Sequence, residues 1–196
     1  MKRHLPNFLT CCNLVCGTLG IMYILDGYGW GRDHLLTDIF PGFPPAYFVW
    51  LACVFDFLDG FAARALKVSS AIGKELDSLA DMVSFGVLPS VFMFKLIQQA
   101  ATGAGDGFQH YLPYAALAIA VFSALRLAIF NLDETQKESF KGLPTPANAI
   151  FITALPFLPF ALQPWVLTFV TIILSLLMIS KIELFALKFK RYDWAS

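Results

Sequence analysis

Two runs of about twenty mostly apolar residues, at 47–66 and 76–97, are joined by a short polar turn and carry acid inside them. The stretch from 56 to 81 reads DFLDGFAARALKVSSAIGKELDSLAD. An apolar run of this length crosses a ~30 Å hydrocarbon layer only as a helix, because each backbone N–H and C=O must find its partner within the segment. Ionisable side chains at that depth are costly and mark a site or a pathway. Asp56 and Asp59 are three residues apart and Asp77 and Asp81 four apart, so on helices of 3.6 residues per turn each pair projects from one face. The turn at 67–74 then brings the two carboxylate pairs opposite each other.

The rest of the chain supports the membrane reading. Of 196 residues 58% are hydrophobic and 14% charged, too little polar covering for a soluble core of this size. Lys and Arg balance Asp and Glu at 14 each, so net charge gives no electrostatic handle for nucleic acid. Further apolar runs stand at 8–25, 112–131, 146–162 and 165–187. The expected fold is therefore an all-α integral membrane protein of about six transmembrane helices, forming a single domain over 1–196. No small-x-small cleavage site follows the first run, which is expected to be retained as a helix. Polar or Gly- and Pro-rich loops are expected at 26–45, 100–107 and 132–145. Cys11, Cys12, Cys16 and Cys53 lie in apolar runs away from histidine and read as small buried hydrophobes. His4, His34 and His110 have no ligand-spaced partner and read as surface residues.

Basic residues set the orientation, since Lys and Arg stay on the cytoplasmic side. With the N-terminus inside, Lys2, Arg3, Arg64, Lys67, Lys74, Arg126, Lys137, Lys141, Lys181, Lys188, Lys190 and Arg191 fall at cytoplasmic ends, and only Arg32 and Lys95 fall opposite. Both termini are expected in the cytoplasm, with the aspartates opening there between helices 2 and 3.

Four carboxylates in a low-dielectric place repel one another unless protons or cations neutralise them. Oxygen ligands of this kind suit Mg²⁺ or Mn²⁺, with Ca²⁺ also admissible, and two divalent ions would balance four charges. Paired ions are a recurring device for phosphoryl chemistry. Arg64 could add a charge-assisted contact to phosphate, and Gly60 with Ala63 would leave a small-residue notch beside the acids. Physics alone leaves a second reading open, in which the aspartates belong to an ion-coupled transport pathway.

The motif Asp56-x2-Asp59-Gly60-x2-Ala63-Arg64-x8-Gly73-x3-Asp77-x3-Asp81 resembles the complete signature of the CDP-alcohol phosphotransferase family, with every fixed position filled. That family is a group of six-helix membrane enzymes in which the hydroxyl of a second substrate displaces CMP from a CDP-linked lipid. The resemblance implies that Asp56, Asp59, Asp77 and Asp81 bind two divalent ions, that Asp81 is also the base for the acceptor hydroxyl, and that Gly60, Ala63, Arg64 and Gly73 shape the nucleotide and diphosphate site. It also implies a homodimer in the cytoplasmic (inner) cell membrane.

Three further blocks, Leu5-Pro6-Asn7 with Thr10 and Asn13-Leu-Val-Cys-Gly17, Ser84-Phe85-Gly86, and Phe140-Lys141-Gly142-Leu143-Pro144-Thr145-Pro146, resemble the phosphatidylserine synthase branch. This implies CDP-diacylglycerol as donor and L-serine as acceptor. Glycerol 3-phosphate or inositol phosphate as acceptor, or an archaeal-type lipid as donor, would use the same chemistry. Acceptor or phosphate contacts are expected from Asn13, Ser84, Arg126, Lys141 and Thr145. Ordinary flanking charge for Arg126 and Lys141, and an interhelical hydrogen bond for Asn13, are the competing readings.

Overall fold

The computed structural model describes residues 4–26, 44–68, 70–102, 107–132, 142–180 and 182, and among them all regular secondary structure is helical. In order come α1 (Leu5–Asp26), α2 (Ala46–Leu66), α3 (Ala71–Ala100), α4 (Phe108–Leu132), α5 (Thr145–Phe157) and α6 (Pro164–Ile179). The first four are long and apolar enough to cross a membrane, and α5 and α6 are shorter apolar helices. Exposed Phe8, Phe57, Phe61, Phe169 and Leu176 give the bundle an apolar outer surface that suits lipid better than water. With the four long helices, this marks the chain as a multi-pass membrane protein.

The first helix packs through a stripe of small and polar residues, Pro6, Thr10, Asn13, Gly17 and Gly20, all buried and spaced three or four apart. Small residues let helix backbones approach closely where lipid gives no hydrophobic drive. At Gly17 the approach is extreme: a Cβ there would collide with Ser84 Oγ and lie 2.9 Å from Ser84 Cα.

Helix α3 runs through the middle of the bundle and contributes to both apolar clusters. One gathers Tyr23, Ile24, Phe48, Val49, Phe85 and Leu88, the other Met93, Ile97, Ile119, Ile152, Leu167 and Leu174. It is built in three parts, α-helical over Ala71–Asp81, π-helical over Met82–Val87, and α-helical again over Leu88–Ala100. The π segment buries Ser84, Phe85 and Gly86 immediately after Asp81.

Several helix ends differ from the sequence expectation. Helix α3 begins at Ala71 instead of 76, because the Ser70 side chain accepts from the Gly73 N–H at 2.9 Å and caps a polar first turn that hydropathy does not register. Asp77 and Asp81 therefore stand about two and three turns into the helix, and Gly73 and Lys74 belong to it and not to the turn. Helix α4 opens at Phe108 with a 3₁₀ segment that carries Pro113. Helix α5 ends at Phe157 and not at 162, through a 3₁₀ turn containing Pro156, after which Leu158 is extended. Helix α6 ends at Ile179 instead of 187, where Ser180 turns extended. The basic tail and most of the loops expected at 26–45 and 132–145 lie outside the described residues.

Tyr47, Trp50 and Phe157 pack ring against tilted ring at one end of the bundle, and Trp50 Nε1 donates to Thr153 Oγ1 at 3.3 Å. Helix α2 starts in this aromatic cluster and ends among the aspartates, so the two features occupy opposite ends. The cysteines are all free. Cys16 is buried as expected, Cys12 and Cys53 are half-buried, and Cys11 lies exposed on the outer face of α1. His4 and His110 are exposed, and His34 lies outside the described residues.

Candidate active site

The end of α2 and the start of α3 run antiparallel beside the first turns of α1, and the acids collect where the three meet. A side-chain oxygen from each of Asp56, Asp59 and Asp77 lies within 4.8 Å of the other two. Asp59 is buried, and Asp56 and Asp77 are half-buried. Asp81, one turn further along α3 than Asp77, is not in that group of three. Its Oδ1 accepts from Asn13 Nδ2 at 3.1 Å. Counting from the α2–α3 turn, Asp59 and Asp77 form an outer rung, and Asp56 and Asp81 lie one helical turn deeper.

Thr10 holds the outer rung. Its hydroxyl lies 2.6 Å from Asp59 Oδ2 and 3.0 Å from the Pro6 carbonyl, and its single proton goes to the charged acceptor, the stronger of the two. Asp77 Oδ1 is buried and has no hydrogen-bond partner among the described residues. An acceptor-only oxygen in that state, beside two further carboxylates, fits a hard divalent cation.

A cavity of about 440 Å³ opens on the outer rung. Asp59, Gly60 and Ala63 line it from α2, Ser70, Gly73, Lys74 and Asp77 from α3 and its cap, and Pro6, Asn7 and Thr10 from α1. Among the described residues the atoms nearest to a Cβ added at Gly60 belong to the Arg64 guanidinium, whose Nη1 would lie 3.5 Å away. A side chain at 60 would take up space in the cavity, and exposed Arg64, which does not line it, folds back toward Gly60. Gly73 is different: a Cβ there would come within 2.8 Å of Ser70 Oγ and 2.9 Å of Asn7 Oδ1. Its bareness lets α1 close over the start of α3.

The other sequence candidates sit elsewhere. Ser84 is fully buried, and its hydroxyl donates to the Asn13 carbonyl at 3.0 Å. Arg126, on α4, is also buried, and its Nε donates to the Leu143 carbonyl at 2.9 Å. Thr145 opens α5 and is buried. None of these three lines the cavity, and Lys141 lies outside the described residues. Sequence reasoning passed over Ser70, took Lys74 only as flanking charge, and quoted Asn7 and Thr10 without assigning them a role. The signal that would have found Thr10 is the stripe of α1, in which Pro6, Thr10, Asn13, Gly17 and Gly20 recur on one helical face.

Comparison with known proteins points the same way. The family profile described as CDP-alcohol phosphatidyltransferase matches residues 3–179. A Bacillus subtilis protein named CDP-diacylglycerol–serine O-phosphatidyltransferase is 32% identical over 185 residues, covering 92% of this chain and 89% of that protein. A Saccharomyces cerevisiae protein of the same name is 33% identical over 79% of this chain, but only 54% of its own length is matched. An archaetidylserine synthase from Methanothermobacter thermautotrophicus is 30% identical over 91% of this chain and 68% of its own. A profile that spans nearly all the described helices, on a chain whose aspartates meet beside an open cavity, establishes that this protein belongs to the CDP-alcohol phosphatidyltransferase family.

Proposed function

We propose that the protein transfers the phosphatidyl group of CDP-diacylglycerol to the hydroxyl of L-serine, giving phosphatidylserine and CMP. The observation that carries this reading is the grouping of Asp56, Asp59 and Asp77 beside a cavity large enough for a nucleotide, with Asp77 Oδ1 buried and unpaired among the described residues. Serine as acceptor is supported by the relatives, whose names differ in the lipid and agree in serine.

In this reading Asp56, Asp59, Asp77 and Asp81 hold two divalent ions, Mg²⁺ or Mn²⁺. When bound, such ions offset the charge of a diphosphate and of the oxygens entering and leaving phosphorus. The chain's own residues do the rest. Thr10 keeps Asp59 turned toward the cavity, and Gly60 with Ala63 leaves room for the nucleotide. Arg64 at the rim meets phosphate with a planar pair of N–H groups. Asp81 takes the serine hydroxyl proton as that oxygen bonds to the β-phosphorus, and the phosphoanhydride bond to CMP breaks. Attack is direct, since the sequence sets no Ser–His or Cys–His pair near the acids. Serine arrives from the cytoplasm.

Both termini lie in the cytoplasm in this account, as the basic residues dictate, and the enzyme works in the cytoplasmic cell membrane as a homodimer. The deciding experiment incubates the purified protein with CDP-diacylglycerol, Mn²⁺ and a panel of alcohols: serine, glycerol 3-phosphate, inositol phosphate and none. Serine alone should release CMP. Release with a different alcohol would keep the chemistry and replace the acceptor. Substrate flux in sealed vesicles without CMP release would replace the enzyme reading with a transporter.

A further inference from the structure

We infer that Asn13 is a positioning residue for Asp81, so that α1 sets the orientation of the group that deprotonates the acceptor. The inference rests on the proposed role of Asp81 as base. Asn13 Nδ2 reaches Asp81 Oδ1 at 3.1 Å across 68 residues of sequence, and Asn13 has no exposed surface. Turning its amide over would press a carbonyl oxygen against the carboxylate, so chemistry as well as packing fixes the donor toward Asp81.

The residue sits in a frame that cannot slide. Ser84, in the π segment that begins directly after Asp81, donates to the backbone carbonyl of Asn13 at 3.0 Å. Gly17, one turn along α1, lets Ser84 come that close, since any Cβ there would collide with it. The Asn13 backbone and side chain therefore hold consecutive parts of α3. Asn13 Oδ1, in contrast, is buried without a hydrogen-bond partner among the described residues. A buried amide satisfied on one side only is a poor device for stability, and an apolar residue would pack at lower cost. Its donor is what the position needs. By holding Oδ1 of Asp81, the bond fixes the plane of the carboxylate and so the direction in which it meets the acceptor's proton.

The test compares Asn13→Leu and Asn13→Asp with the unmodified full chain in detergent, measuring kcat, KM for CDP-diacylglycerol and, by calorimetry, binding of CDP in the presence of Mn²⁺. Removing a partner that orients a ligating carboxylate should lower kcat about 10- to 100-fold. Donor KM and CDP affinity should stay within about twofold, the split expected when only a transition-state interaction is lost. Asn13→Asp keeps the shape but faces Asp81 with a second carboxylate, and should be the more damaged of the two. The inference is overturned if either variant turns over at the normal rate, if CDP affinity falls in step with kcat, or if neither variant folds, which would make Asn13 a structural residue. Asp81→Ala is measured alongside. Retained turnover there would sink the base reading itself, whereas an inactive Asp81→Ala beside a fully active Asn13→Leu would sink only the role of Asn13.

Discussion

Asp56, Asp59, Asp77 and Asp81 stand in different company in the structure. Asp59 is tied to Thr10, Asp81 to Asn13, and Asp77 keeps a bare buried oxygen. Those differences predict different mutational outcomes. Asp81→Asn preserves the shape and removes the base, so transfer should fall by roughly 10²- to 10⁴-fold while CDP binding persists. Near-normal turnover would take Asp81 out of that role. Thr10→Val removes the hydroxyl that orients Asp59. It should raise the Mn²⁺ concentration needed for half-maximal activity by about 10-fold or more, and Thr10→Ser, which keeps the hydroxyl, should restore it. The acids could be read in the sequence because their spacing within each helix is local information. Asn13 could be picked out too, by its amide at membrane depth, but the pairing of Asn13 with Asp81 and of Thr10 with Asp59 could not, because the register of α1 against α2 and α3 is settled by packing across 68 and 49 residues.

At the scale of the element, the contact between α1 and the π segment of α3 governs how the deeper rung is presented. Gly17 stands where its backbone meets Ser84, and Ser84 meets the Asn13 carbonyl. Gly17→Ala should force the two helices apart, at a cost of about 1–3 kcal/mol in a thermal or denaturant melt, with a loss of turnover exceeding any loss of CDP binding. An unchanged melt and rate would show that the helices close without needing the bare backbone. Helix existence and type were legible from apolar runs near membrane length. Helix ends were less so, and for identifiable reasons. Ser70 starts α3 with a side-chain cap in polar sequence, Pro156 ends α5 inside an apolar run, and nothing in the periodicity of Met82–Val87 marks a π segment. That segment nevertheless begins at the residue after Asp81, and π turns recur at functional sites.

For the whole molecule, the aspartates and the Tyr47–Trp50–Phe157 cluster mark opposite ends. With the aspartate end in the cytoplasm, as proposed from the basic residues, a cysteine introduced at Ser70 should react with impermeant reagent only from the cytoplasmic side of sealed vesicles. Labelling from the outside would invert the topology. Family membership and the meeting of the acids beside a cavity together fix the class of chemistry. The central claim is that this cavity joins serine to a lipid as CMP leaves. Its most direct measurement follows radiolabelled serine into lipid and CMP into solution in one vessel, with purified protein, CDP-diacylglycerol and Mn²⁺. The account predicts the two products in equal amounts, both abolished by a chelator and both restored by added Mn²⁺. CMP release without serine incorporation, or undiminished transfer in the chelator, would contradict it.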